Sequence, residues 1–279
     1  MRPSTVESYY ERILRALVHI QQHLEEQRED PLDLNALAHV ACFSPYHFHR
    51  IFRGLVGETV ADHVRRLRLE RAAQRLKSTG RPVTDIAFEA GYEAHEAFTR
   101  AFRARFGASP SGFRESRPEI EKLEPIAVRI EKLPAMRVAF VRHVGPFKDV
   151  GSAWGTLMGW AGMRGLFGPH TMAIGVVHDD PDVTAPEQLR YDASVTVIGD
   201  VRPEGVIGIE ELASREYAIA RHHGPYENIS DTYARMCGQW LPSSGRELAA
   251  APSLEFYLNA PQTTRPEDLL TDACLPLEA

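Results

Sequence analysis

Three groups of residues in this chain have the types and spacing for recognition chemistry. Tyr46, His49, Arg50 and Arg53 fall at i, i+3, i+4 and i+7, so on a helix they share one face. Fifty residues on, Glu96, Thr99, Arg100 and Arg103 repeat that spacing. Arginines on one helix face can bind guanine edges bidentately, a carboxylate can accept from cytosine N4, and a tyrosine ring can touch a thymine methyl. Arg50, Arg100, Glu96 and Tyr46 read as base contacts on this view, and Arg53 and Arg103, a turn farther on, as phosphate contacts. The third group centres on Glu255, a lone carboxylate inside the apolar and aromatic run Leu254–Leu258. In a sheet with two faces, Glu255 either points to solvent or faces inward, where a cation or hydrogen-bond donors must compensate its burial. Trp154, Tyr191, Tyr226, Trp240 and Tyr257 could add aromatic faces for a cationic ligand.

Such faces need helices anchored from behind. Phe48, Ile51, Phe52 and Leu55 form an apolar stripe behind the first basic face, and Phe98, Ala101 and Phe102 form its counterpart behind the second. Each stripe closes a helix-turn-helix copy, Asp33–Leu55 and Val83–Phe106. In the first, Asp33 caps a short helix holding Leu34, Leu37 and Ala38, Cys42-Phe43-Ser44 makes the turn, and Ser44-Pro45 starts the second helix. In the second, Thr84 is the expected cap, Gly91 the turn, and Gly107-Ala108-Ser109-Pro110 the end. A long helix over Val60–Ser78, broken at Thr79-Gly80-Arg81-Pro82, joins the copies, at a length that would set two readers about 34 Å, one duplex turn, apart. An amphipathic helix over Val6–Glu26, stopped at Asp30-Pro31, precedes them.

Beyond Ser116-Arg117-Pro118 the texture changes to short alternating segments such as Ala127–Ile130 and Arg137–Val141, with Gly/Pro turns. A second duplication lies here. Arg142-His143-Val144-Gly145-Pro146-Phe147 recurs as Arg221-His222-His223-Gly224-Pro225-Tyr226, and Pro186-Glu187-Gln188-Leu189 as Pro266-Glu267-Asp268-Leu269. Helical stretches follow the first pair, with Trp154 and Trp160 in one and Tyr233 and Trp240 in the other. The expected architecture is an all-α N-terminal domain with two helix-turn-helix units over 1–117, then an α+β C-terminal domain of two β-α-β-β halves over 118–279.

Charge divides along the same line. Through Arg117 there are 18 Lys and Arg against 15 Asp and Glu, a balance of +3; the remainder has 14 against 23, or −9. A locally basic module suits phosphate contacts whatever the whole-chain charge of −6. No apolar run approaches the length of a membrane span, and the charged N-terminus lacks the core of a signal peptide, so a cytoplasmic location without membrane partners is expected. Cys42, Cys237 and Cys274 lie too far apart for a zinc or disulfide framework, and the His143 and His222-His223 strand ends read as structural. No metal or cofactor is expected. There is no Gly-x-Ser-x-Gly elbow, HExxH or phosphate loop, so the chain reads as a non-enzyme.

The N-terminal half resembles the AraC/XylS family of bacterial transcription regulators. The resemblance runs from about Tyr9 to Arg114, carried by Ser44–Phe52, Asp85-Ile86-Ala87, Gly91-Tyr92, Phe98–Phe102, Phe106-Gly107 and Ser109-Pro110. It departs at Cys42, where many relatives have glycine, and a side chain there would strain a left-handed backbone. The C-terminal half resembles the GyrI-like, or BmrR-type, effector-binding domain through Arg142–Pro146, His178-Asp179-Asp180-Pro181, Arg221–Tyr226 and Glu255–Asn259. Together these resemblances imply a regulator of duplex DNA acting with RNA polymerase. They also imply a groove for a small amphipathic, often cationic effector, with Glu255 as its charge partner. Some GyrI-like domains are implicated in hydrolysis, which leaves the alternative of Glu255 as a general acid or base.

Overall fold

The computed structural model describes residues 5–26, 32–115 and 125–278, with side chains from residue 9 onward. The Asp30-Pro31 stop and the 117/118 boundary therefore lie outside the described residues. Among the described residues seven helices build the N-terminal part: α1 (Thr5–Glu25), α2 (Leu34–Val40), α3 (Pro45–Val56), α4 (Val60–Ser78), α5 (Val83–Glu89), α6 (His95–Phe106) and α7 (Pro110–Glu115). Asp33 Oδ1 accepts from the Ala36 amide and Ser44 Oγ from the His47 amide, so α2 and α3 start at the expected caps. Thr84 is not a cap: Pro82 occupies that place ahead of α5 and Thr84 lies within the helix. Pro82 suits it because its fixed φ and missing N–H cost nothing before a first turn.

The two copies are built alike. From Phe48 to Val60 and from Phe98 to Pro110, thirteen successive positions are buried, half-buried or exposed in the same order. Both second helices end on a left-handed glycine, Gly57 at φ 85° and Gly107 at φ 74°. Phe48 and Phe52 sit in one core with Leu37, Ala38 and Ile20; Phe98 and Phe102 sit in another with Ile86, Leu69 and Leu76. Between these cores α4 is buried around most of its circumference. It carries a polar seam as well as apolar faces: Arg66 bonds Glu58 and Glu70, and Glu70 also accepts from Arg105 of α6. Burial alone would raise the Glu58 carboxyl, but hydrogen bonds from His63 and Arg66 outweigh it and hold it at about 2.

The C-terminal part comprises β1 (Val128–Leu133), β2 (Met136–Val144), α8 (Gly151–Met163), β3 (Ala173–Val177), β4 (Arg190–Thr196), β5 (Ile207–Leu212), β6 (Arg215–His223), α9 (Ile229–Arg235), α10 (Leu241–Ser244), β7 (Ser253–Tyr257) and β8 (Leu270–Pro276). The eight strands among the described residues form one antiparallel sheet in the order β1-β6-β8-β7-β3-β4-β2-β5. Each half supplies the expected β-α-β-β unit, and the halves meet where β3 pairs with β7. Each also lends a leading strand to the other: β1 pairs with β6, and β5 pairs with β2. Alternation then sorts the side chains. On one face α8 packs on Tyr191, Ala193 and Val195, while Met236 packs on Ala218, Ala220 and Ala273. The other face holds Val138, Ile174, Val176, Ile219 and Leu254.

That second face also meets the helices. Arg142 of β2 donates to Gln21 of α1, Arg71 of α4 donates to the Ala250 carbonyl, and Lys77 of α4 pairs with Asp180 and Asp182. Val183 inserts into the core that contains Phe98 and Phe102.

Candidate functional site

The first site is the outer face of α3 and α6. Tyr46, Arg50, Arg53, Glu96, Arg100 and Arg103 are exposed, while the phenylalanines on the reverse are fully buried. Tyr46 is 65% exposed and accepts a 2.8 Å hydrogen bond from Arg50 Nη1, which fixes both side chains on one turn. His49 is half-buried. Thr99 is half-buried like His49, and its hydroxyl is buried without a hydrogen-bond partner among the described residues, so it stands at the edge of the face and not on its exposed ridge. The cause is its place beside Phe98, one step behind the exposed ridge of α6.

The second site lies on the α8 side of the sheet. Glu255 faces inward and is 7% exposed, on a register row where Gly175 separates it from Ala193. Tyr257 Oη donates to Glu255 Oε2 at 2.6 Å and lies 2.7 Å from Tyr191 Oη, which accepts from Trp154 Nε1 at 3.1 Å. The ring of Tyr257 has the rings of Trp154 and Tyr226 edge-on to it, with centroids at 5.5 and 5.2 Å. Gly175 makes room for this arrangement. A Cβ there would stand 2.4 Å from Tyr191 Oη and 2.8 Å from Tyr257 Oη. Burial raises the Glu255 carboxyl to about 7, against the pull of the Tyr257 and Tyr233 hydroxyls. The Tyr191 and Tyr257 hydroxyls are pushed up from their usual range, first by burial and then by the neighbouring carboxylate.

Glu255, Tyr257, Tyr191, Trp154 and Tyr226 are thus brought together, and Trp240 is not. Trp240 packs instead with Leu248, Leu277 and Met236, in a π-helical turn over Met236–Trp240. Tyr233 takes the place expected of it: its ring is half-buried, and its hydroxyl is buried beside Glu255 without a well-formed hydrogen bond among the described residues. The duplication held the signal. Tyr233 stands seventy-nine residues after Trp154, the same offset that relates Arg221 to Arg142 and Tyr226 to Phe147. Phe147, also unforeseen, places its ring 6.2 Å from that of Tyr191. His143 and His222 close equivalent turns through Nε2 contacts of 3.0 Å to the Pro146 and Pro225 carbonyls. Among the described residues no cluster of His, Cys, Asp or Glu could hold a metal ion, and no helix is long and apolar enough to cross a membrane.

A duplicated sheet that walls in one carboxylate with tyrosines, resting on a pair of helix-turn-helix units, defines a small-molecule-binding fold joined to an AraC-type DNA-binding region. The chain belongs to the family of GyrI-like small molecule binding domains, whose profile matches residues 126–278, and a helix-turn-helix domain profile matches residues 37–116. Over 153 residues it is 32% identical to the probable transcriptional regulator YgiV of Escherichia coli K12, covering 54% of this chain and 95% of that protein. Over 91 residues it is 35% identical to the regulatory protein SoxS of the same strain, covering 33% of this chain and 85% of that one. A solved EcmrR–DNA complex aligns over 88% of this chain and 98% of its own, with 14% identity and a TM-score of 0.49.

Proposed function

We propose that the chain is a cytoplasmic regulator that reads one asymmetric duplex site with both helix-turn-helix units, answers to a small amphipathic cation held at Glu255, and acts on RNA polymerase. The observation that carries the DNA reading is the identical thirteen-position burial pattern behind α3 and α6. It leaves the same ridge of each helix facing solvent, so two readers on one rigid α4 can meet successive major grooves. Arg50, Arg100, Glu96 and Tyr46 address bases, and Arg53 and Arg103 address phosphates, with His49 at the margin. Duplexes selected from random sequence by the full chain would test it. Arg50→Ala and Arg100→Ala should each cost roughly 1–3 kcal/mol, at different base positions about one turn apart. An unchanged footprint in both would count against groove reading.

For the effector, a buried carboxylate among aromatic rings suits a lipophilic cation, which would replace the Tyr257 hydroxyl as the partner of Glu255. Such a cation should quench Trp154 fluorescence, and Glu255→Gln should weaken it at least tenfold. A second reading rests on one observation: a carboxyl held near 7 and hydrogen-bonded to a tyrosine is poised as a general acid or base. Turnover of an electrophilic small molecule by the full chain, lost in Glu255→Gln, would favour hydrolysis instead.

A further inference from the structure

We infer that strand β4 and the segment leading into it form the mechanical link between the effector site and the DNA-binding helices, with alternate residues serving the two sides. This rests on the effector reading of Glu255. Tyr191 of β4 points into that site, bonded to Trp154 and Tyr257. Its neighbours do the opposite. Asp192 accepts two hydrogen bonds from Arg142, at 2.8 and 2.7 Å, and one from His178 at 2.8 Å, and Arg142 donates onward to Gln21 of α1 at 2.9 Å. Arg190 grips Asp179 with two bonds of 2.8 and 2.7 Å, and the adjoining Asp180 pairs with Lys77 of α4. Gln188 accepts from Arg105 of α6 at 2.9 Å, and Val183 is seated in the α6 core.

The chemistry of the site makes this arrangement responsive. A cation that reaches Glu255 must take the place of the Tyr257 hydroxyl, which is also bonded to Tyr191. The two hydroxyls already fill the space over Gly175, so they cannot settle downward. β4 is paired on both edges, with β2 and β3, and a strand so held shifts with its neighbours as a unit. Displacement of Tyr191 is thereby delivered to residue 188, whose partner lies on α6, to residue 190, whose partner lies on the loop bound to α4, and to residue 192, which reaches α1 through Arg142. Allostery of this kind requires two states that the effector and the duplex bind unequally, and the effect must be reciprocal.

The test uses the full chain, a selected duplex, and benzyltributylammonium as the probe cation. In the wild type the cation should change duplex affinity at least fivefold, and the duplex should change cation affinity by the same factor. The double variant Gln21→Ala/Gln188→Ala should keep cation quenching and cation-free duplex affinity within twofold, while the coupling falls below twofold. Tyr257→Phe supplies a cation-free arm: it should alter duplex affinity in the wild-type background and not in the double variant. Undiminished coupling in the double variant, or a wild type that binds the cation with no change in duplex affinity, overturns the link and leaves the effector site standing. Failure of the cation to bind, with the Tyr257→Phe cycle as expected, sinks the effector reading and leaves the link.

Discussion

The same Arg–Asp pair occurs in each half of the sheet, and the two copies live in different surroundings. Arg142–Asp192 is buried, with 6% and 2% of its side chains exposed, under the contact with α1. Its duplicate, Arg221–Asp272, leaves the arginine 47% exposed and shares the carboxylate with Arg129. The loops differ in the same sense. Val183 is buried in the helix-turn-helix core, whereas the equivalent Thr263 is exposed. Asp179 and Asn259 each accept from a backbone amide, of Arg190 and Leu270, but only Asp179 adds a guanidinium partner. The ligand side is divided the other way, with Glu255 in the second half where the first has Gly175. One duplicate makes most of the polar contacts with the helices, the other adding the Arg71–Ala250 bond, and that second duplicate supplies the charge of the site.

The ion pairs give the largest expected effect. Asp192→Ala strands a buried guanidinium whose own affinity for its proton is raised by Asp192 despite desolvation, so a loss of about 3–5 kcal/mol in denaturant unfolding is expected. Asp272→Ala, with half-exposed arginines, should cost about 1 kcal/mol or less. Equal costs would erase the distinction between a docked and an open half.

Glu255 provides the next test. Its folded-state pKa of about 7 is above the ordinary carboxyl value of 4.5, so the folded chain holds the proton more tightly than the unfolded chain. Stability is then highest below the unfolded value, falls as pH rises through that window, and carries the full cost above about 7. Glu255→Gln should therefore stabilise the ligand-free chain by about 3 kcal/mol at pH 8 and by little at pH 4. Glu210, raised to about 8 by burial and by the Asp192 charge, falls in a nearby window, so the difference between variant and wild type is the quantity to follow. Cation affinity has the opposite trend, rising with pH through 7 as the carboxylate ionises. A variant without stability gain at pH 8 would mean that Glu255 is solvated.

Gly175→Ala addresses the same row from the other half. Its Cβ would meet two tyrosine hydroxyls below 3 Å, and overpacking of this kind costs about 1–3 kcal/mol. The Tyr191–Tyr257 bond should also break, which near-ultraviolet tyrosine signals would report. A neutral substitution would show that the two rings move freely.

Much of this organisation was legible before any coordinates. Internal repeats fixed both helix-turn-helix copies and both β-α-β-β halves, because a repeat reports positions that two local environments chose independently. Caps such as Ser44 and turns such as Gly91 are readable for local reasons. The exchange of β1 and β5 between halves was not, since strand pairing beyond neighbours in sequence leaves no periodic trace. Nor was the docking of Val183, one valine in a loop. The seventy-nine-residue offset applied to Trp154 points to Tyr233 and not to Trp240, which packs in the neighbouring core.

The smallest expected effect compares the turns of the two helix-turn-helix copies. Both place a left-handed residue just after the first helix, Cys42 at φ 53° and Gly91 at φ 81°. Gly91 adopts that backbone without a steric penalty, and a Cβ there would press to 2.8 Å on Arg68 Nη1. Cys42 has a Cβ in the same conformation, at a cost of about 1–2 kcal/mol, partly relieved by a weak contact from its thiol to the Val40 carbonyl. Cys42→Gly removes that strain but enlarges the freedom of the unfolded chain, so the net gain should be below about 1 kcal/mol. Gly91→Ala should lose more than Cys42→Gly gains, because strain and contact act together there. Thermal unfolding of the two variants reads the difference directly, and a destabilised Cys42→Gly would show that the first turn has adapted fully to its side chain.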